Sequence, residues 1–192
     1  MKMKAKTLTT LALMIALTVI LGLTPLGYIP IGAIEITLMC IPVVVGTLVL
    51  GLKPGLILGL AFGVTSLIKA LTAPPALLVP LLDQPLVLYT SVFLPRLLIP
   101  LTTWLVYRAC QRLKPALSIG ISAAVGSLTN TVFFLGLIIL LGADKVAEGF
   151  GMTVGAVIGT LATVGATNGL PEAAVAVIVT IPVVKALQKL NQ

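Results

Sequence analysis

The side chains of this chain that could do chemistry are few, and they are binders rather than catalysts. There is no histidine and no G-x-x-x-x-G-K-[ST] phosphate loop, so histidine-dependent hydrolase triads, membrane metalloprotease motifs and self-contained ATP hydrolysis are excluded. No two carboxylates stand at helical spacing within an apolar run. Asp144 and Glu148 are four residues apart, but they flank Lys145 in what reads as a solvated loop. An enzyme is not expected, nor a metal or a resident cofactor.

What remains suits recognition of a small polar molecule. Arg96 opens the predicted fourth helix, where the positive end of the helix dipole disfavours a cation and an anionic partner would compensate. That partner is either a ligand carboxylate or one of Glu35, Asp83 and Glu172. Asn130 sits roughly 21 Å of rise into the predicted fifth helix, beyond the midplane toward the outside, with Ser127 and Thr131 on its face. It either contacts a ligand or hydrogen-bonds a neighbouring helix. Asn168 and Glu172 flank Pro171 at the expected external start of the last helix, where an acid also complements the helix dipole. Tyr28 and Tyr89 border the same external mouth, as interfacial anchors or as stacking partners. Lys69 is expected to snorkel to the outer interface and stays outside the candidate site.

Positioning these groups falls to membrane-spanning helices. With 59% hydrophobic and 9% charged residues and a mean hydropathy of +1.22, the composition is that of a chain dissolved in lipid. Crossing a hydrocarbon core of about 30 Å takes roughly 17 to 25 apolar residues. The runs at 7–24, 36–52, 56–71, 92–112, 116–141 and 171–190 are read as the six transmembrane helices of an all-α integral membrane protein, a single membrane domain over residues 1–192. A tight turn at 51–55 joins the second and third helices, and a long loop follows Pro74 and Pro75. Within 149–167, the apolar stretch from Thr153 to Ala166 has only 14 residues, which predicts an external re-entrant or interfacial segment. Its Gly151, Gly155 and Gly159 are expected to pack closely over the bundle.

With the N and C termini both cytoplasmic, nine of the twelve bases fall inside, including the Lys2–Lys6 and Arg108–Lys114 groups, and all five acids fall outside. The bases set the orientation; acids have little topogenic weight, so their clustering reflects either an external vestibule or ordinary loop solvation. The net charge of +7 is accordingly a topology signal, and no nucleic-acid partner is expected. Cys40 and Cys110 lie on opposite halves of the predicted bundle, too far apart for a disulfide. Small residues add a second signal. Ala5, Thr9, Ala12 and Ala16 form a smooth stripe along the cytoplasmic half of the first helix, which either packs within the bundle or meets another helix.

Several local runs carry a further pattern: Ala12-Leu13-Met14-Ile15-Ala16; Gly27-Tyr28-Ile29-Pro30-Ile31-Gly32 leading to Ile41-Pro42-Val43-Val44-Val45-Gly46; Gly59-Leu60-Ala61-Phe62-Gly63 with Ser66-Leu67; Pro95-Arg96; Leu128-Thr129-Asn130-Thr131; and Thr167-Asn168-Gly169-Leu170-Pro171-Glu172-Ala173. Through them, over nearly its whole length, the chain resembles the substrate-binding S components of energy-coupling factor (ECF) vitamin transporters, and among these the subgroup associated with pantothenate uptake. The resemblance implies a multi-pass protein of the bacterial plasma membrane that captures a small vitamin outside and delivers it inside. It implies as partners a transmembrane coupling protein and two cytoplasmic ATPase subunits, which use the ATP. It further implies that Ala12 and Ala16 face the coupling protein and that the whole component topples in the lipid during transport. The ligand would be held by external loops and the outer ends of helices four to six, which maps by position onto Arg96, Asn130, Asn168 and Glu172.

Pantothenate carries a carboxylate, hydroxyls and an amide, so one cation with several amide or hydroxyl partners would suit it, Arg96 being the natural carboxylate partner. Were Glu172 to pair with Arg96, a neutral or cationic vitamin precursor would fit as well. The competing readings are an S component for riboflavin, thiamine or pyridoxine, and a stand-alone secondary transporter whose external acids attract cations.

Overall fold

The computed structural model describes the backbone of residues 5–31 and 34–190, and within it the side chains of 6–27 and 37–189. Lys2 and Lys4, and the side chains of Ala5, Tyr28 and Glu35, lie outside the described residues. Six α-helices carry the described fold: α1 (Ala5–Leu23), α2 (Cys40–Leu50), α3 (Leu52–Thr72), α4 (Pro85–Ala109), α5 (Pro115–Phe150) and α6 (Val154–Leu190). All but α2 are long and apolar enough to cross a membrane. Leu13 of α1, Leu140 of α5 and Ile178 of α6 stand exposed on the outside of the bundle, as they must where lipid replaces water.

A small hairpin separates α1 from α2. Its strands β1 (Tyr28–Ile31) and β2 (Ile34–Thr37) pair antiparallel, with Ile29 opposite Ile36 and Tyr28 opposite Thr37. The second helix was expected to begin at Ile36, and the structure corrects this. Ile34-Glu35-Ile36-Thr37 alternates with period two and is rich in β-branched residues, which favours an extended strand. The helix therefore begins only at Cys40, and its 11 residues rise about 17 Å, roughly half the hydrocarbon thickness. What α2 lacks in length it has in burial: Val43, Val44 and Val45 are inaccessible and centre a core that includes Leu58, Ile99, Ile119 and Val184. Gly51 alone, at φ 94°, turns the chain into α3, so Lys53, Pro54 and Gly55 belong to a helix rather than to the expected turn.

Three other boundaries move. The long loop after α3 contracts to 73–84 and contains a 3-10 turn, Ala76–Leu81. The following helix starts at Pro85 rather than near Val92, because proline at the first helical position loses no hydrogen bond. Arg96 therefore lies about 16 Å inside α4 and not in its first turn, which removes the dipole argument for an anionic partner. Helix α5 continues past Leu141 to Phe150, so Asp144, Lys145 and Glu148 sit on its exposed last turns instead of in a loop. There Lys145 Nζ meets Glu148 Oε2 at 2.7 Å.

The segment 149–167 was expected to stand apart, but most of it is the first half of a continuous α6 that runs through Pro171. Pro171 removes the donor for the Thr167 carbonyl, yet packing along α5 holds the helix together, Gly165 against Leu135 and Gly169 against Thr131. Gly155 and Gly159 face open space, so they are not the close-packing stripe. That stripe lies on α3. Gly55, Gly59 and Gly63 let α4 approach at Pro100, at the Arg96 carbonyl and at Phe93, and a Cβ on Gly59 would come within 2.6 Å of that carbonyl oxygen. These contacts run α3 antiparallel to α4. They put the Gly51 turn at the end of the bundle that holds the 110–114 loop with its bases, and the 73–84 connector at the other.

Candidate functional site

A cavity of about 230 Å³ lies between α3, α4, α5 and α6, with the end of β2 entering one wall. Helical spacing builds it. Phe62, Ser66 and Lys69 share a face of α3, Val92 and Arg96 a face of α4, and Val164, Asn168 and Glu172 a face of α6. Helix α5 contributes Asn130, Thr131 and Phe134, while Pro75, Leu77 and Leu78 of the 73–84 connector add to the wall at the end of the bundle away from the 110–114 loop.

Two buried charges face this space, Arg96 at 9% exposure and Glu172 at 8%. Pro95 cannot donate to the Ser91 carbonyl four residues back, and Arg96 Nη1 does so instead at 3.2 Å. The guanidinium carbon also lies 5.3 Å from the ring centre of Phe62 and 4.8 Å from that of Phe134, within cation–π range of both. Glu172 Oε1 accepts two hydrogen bonds from one residue, the Thr37 N–H at 3.0 Å and the Thr37 hydroxyl at 2.7 Å. This ties the end of β2 to α6. The Arg96 guanidinium is close enough to act on Glu172 electrostatically. Asn130 lines the same space, and its Oδ1 is buried without a hydrogen-bond partner among the described residues. Such an acceptor is costly in a protein interior unless a donor reaches it.

Of the residues singled out from the sequence, Arg96, Asn130, Asn168 and Glu172 are brought together from three helices. Tyr89 is not among the residues lining the cavity; it stands exposed on α4. Tyr28 has its backbone in β1 and its side chain outside the described residues. Asp83, Asp144 and Glu148 are exposed and line nothing here, so among the described residues Glu172 is the acid of the site. Ala12 and Ala16 are exposed on α1 beside Leu13 and Leu17, so their stripe is not used for packing within the bundle.

Sequence reasoning missed Lys69, Ser66, Phe62, Phe134 and Thr37. The first three repeat at four and three residues, a spacing that could have marked a common face. Thr37 left no such signal, because its partner lies 135 residues away.

Residues 6–184 match the family model described as ECF transporter, substrate-specific component. The chain belongs to that family. This substrate-specific component is also 31% identical to the pantothenic acid transporter PanT of Lactococcus lactis subsp. cremoris, an alignment covering 98% of the present chain and 96% of that protein. For an ECF substrate-specific component the expected chemistry is capture rather than catalysis. In the cavity, charges, amides and hydroxyls from α3, α4, α5, α6 and the end of β2 face one space.

Proposed function

We propose that this substrate-specific component captures a small water-soluble vitamin, pantothenate, at the outer face of the plasma membrane. It delivers the vitamin inward together with a transmembrane coupling protein and two cytoplasmic ATPases, taking no cofactor of its own. The chain passes the membrane six times with both termini inside, the hairpin and α2 together making the second passage. Arg96, Asn130, Asn168 and Glu172 contact the vitamin, and Ala12 and Ala16 face the coupling protein.

The observation that carries this reading is the inventory of the cavity. Among apolar side chains, two cations, two amides, several hydroxyls and one acid, Glu172, face a space of about 230 Å³, which offers a partner to each polar group of a molecule bearing a carboxylate, an amide and hydroxyls. Its position agrees, since it lies toward the end of the bundle away from Arg108, Arg112 and Lys114, bases that mark the cytoplasmic side. The likeness to PanT supports the choice among vitamins.

Isothermal titration of the purified chain with pantothenate, in detergent and without ATP, tests the proposal. One pantothenate is expected to bind per chain, and uptake into vesicles is expected only when the coupling and ATPase subunits are co-expressed. Binding of riboflavin, thiamine or pyridoxine in place of pantothenate would overturn the substrate assignment, and uptake by the chain alone would overturn the division of labour.

A further inference from the structure

We infer that Thr37 is a specificity-determining residue of the cavity, whose side-chain oxygen accepts a hydrogen bond from a hydroxyl group of the ligand. The inference rests on the preceding reading of the cavity as the vitamin site, and deepens it by naming the ligand group that this part of the wall reads.

Thr37 and Glu172 both line the cavity, and they meet across 135 residues of sequence. One carboxyl oxygen, Oε1, takes both the Thr37 N–H at 3.0 Å and the Thr37 hydroxyl at 2.7 Å. The oxygen that takes the N–H is the accepting oxygen of the carboxyl, so the hydroxyl beside it donates. The backbone of Thr37 is held as well. Tyr28 pairs with it across the hairpin, and the Leu38 N–H donates to the Gly27 carbonyl at 2.9 Å.

A threonine hydroxyl has one hydrogen and two lone pairs. With the hydrogen committed to Glu172, the Thr37 oxygen can only accept, and donating to a carboxylate polarises it into a better acceptor. Thr37 and Glu172 together therefore offer the ligand lone pairs and no side-chain hydrogen. A ligand carboxylate or carbonyl set against them would add more lone pairs, with little water to screen the repulsion beside a glutamate at 8% exposure. A ligand O–H or N–H supplies the hydrogen that this stretch of wall lacks. Of the two, a hydroxyl fits better: the Arg96 guanidinium acts on Glu172 from close by, and a hydroxyl accepts as well as donates, whereas an amide N–H only donates. A ligand without that hydroxyl would leave the Thr37 acceptor unmet, which is how a buried site built to bond a hydroxyl rejects the analogue that lacks it.

The test measures the affinity of pantothenate and of its two monodeoxy analogues, each with one hydroxyl replaced by hydrogen, on purified wild-type protein and on the Thr37→Val, Thr37→Ala and Thr37→Ser variants. The wild type is expected to bind one of the two analogues at least about tenfold more weakly than pantothenate. Thr37→Val is expected to lower pantothenate affinity at least about tenfold and the affinity of that analogue less than about threefold, so that the preference collapses. Thr37→Ala, a second variant without the hydroxyl, is expected to do the same, and Thr37→Ser is expected to keep the preference. A purely structural role for Thr37 would weaken all three ligands alike and leave their ratios unchanged. The inference is overturned, with the proposed function intact, if the wild type discriminates against neither analogue, if the preference survives in Thr37→Val or Thr37→Ala, or if it is lost in Thr37→Ser. If the wild type binds no pantothenate, it is the proposed function that falls.

Discussion

Arg96 Nη1 donates to the carbonyl of Ser91, the carbonyl whose helical donor Pro95 has removed. Inside a membrane helix no water is at hand to fill such a gap, so a neighbouring side chain does it. The consequence reaches the cavity. With Phe62 and Phe134 also against the guanidinium, its orientation is set by the protein itself, which under the proposed function lowers the ordering cost of binding.

Arg96→Lys is expected to weaken pantothenate binding at least about tenfold, or about 1.4 kcal/mol, although charge is conserved. An ammonium has no planar fork with which to bond the Ser91 carbonyl and present further donors at once. Titration calorimetry on the purified variant checks this, and wild-type affinity in Arg96→Lys would show that charge alone suffices.

Thr37→Val removes the hydroxyl bond to Glu172 and leaves the backbone N–H bond in place. Loss of a hydrogen bond to a charged group is expected to cost about 1.5–3 kcal/mol, and Thr37→Ser is expected to recover most of it. Equilibrium unfolding in detergent gives the number. An unchanged midpoint in Thr37→Val would mean that the tie between β2 and α6 contributes nothing to stability.

Gly59 and Gly159 make a matched pair, one pressed against the Arg96 carbonyl and the other facing open space. Gly59→Leu is expected to destabilise the protein by about 1–3 kcal/mol through overpacking between α3 and α4. Gly159→Leu is expected to be neutral or slightly stabilising, since glycine is a poor helix former. Thermal melts of the two variants side by side test the contrast, and equal losses would refute the assigned packing.

Ala12→Trp places a bulky ring on the exposed face of α1, remote from the cavity. It is expected to leave pantothenate affinity unchanged while abolishing co-purification with the coupling protein. Intact assembly would remove this face from the proposed interface.

Much of the class of this protein is written locally. Apolar runs and their basic flanks depend on composition over about 20 residues, so the sequence by itself determined that lipid is the solvent and where most helices lie. Asn130 and Arg96 were legible for a related reason: a polar side chain in an apolar run must find a partner, whatever the fold. Other features depended on neighbours that no local window contains. Pro171 reads as a helix boundary, yet packing against α5 carries α6 through it. Tyr89 was placed at the mouth and Lys69 outside the site, and only the arrangement of the helices left Tyr89 off the cavity wall and turned Lys69 onto it. The glycines of α3 and of early α6 have the same spacing, but a facing helix makes only the first set a contact surface. The physical reason is common to all of these. Solvent preference and propensity belong to a segment, whereas which face is buried, which proline is tolerated and which charges meet are properties of what packs against it.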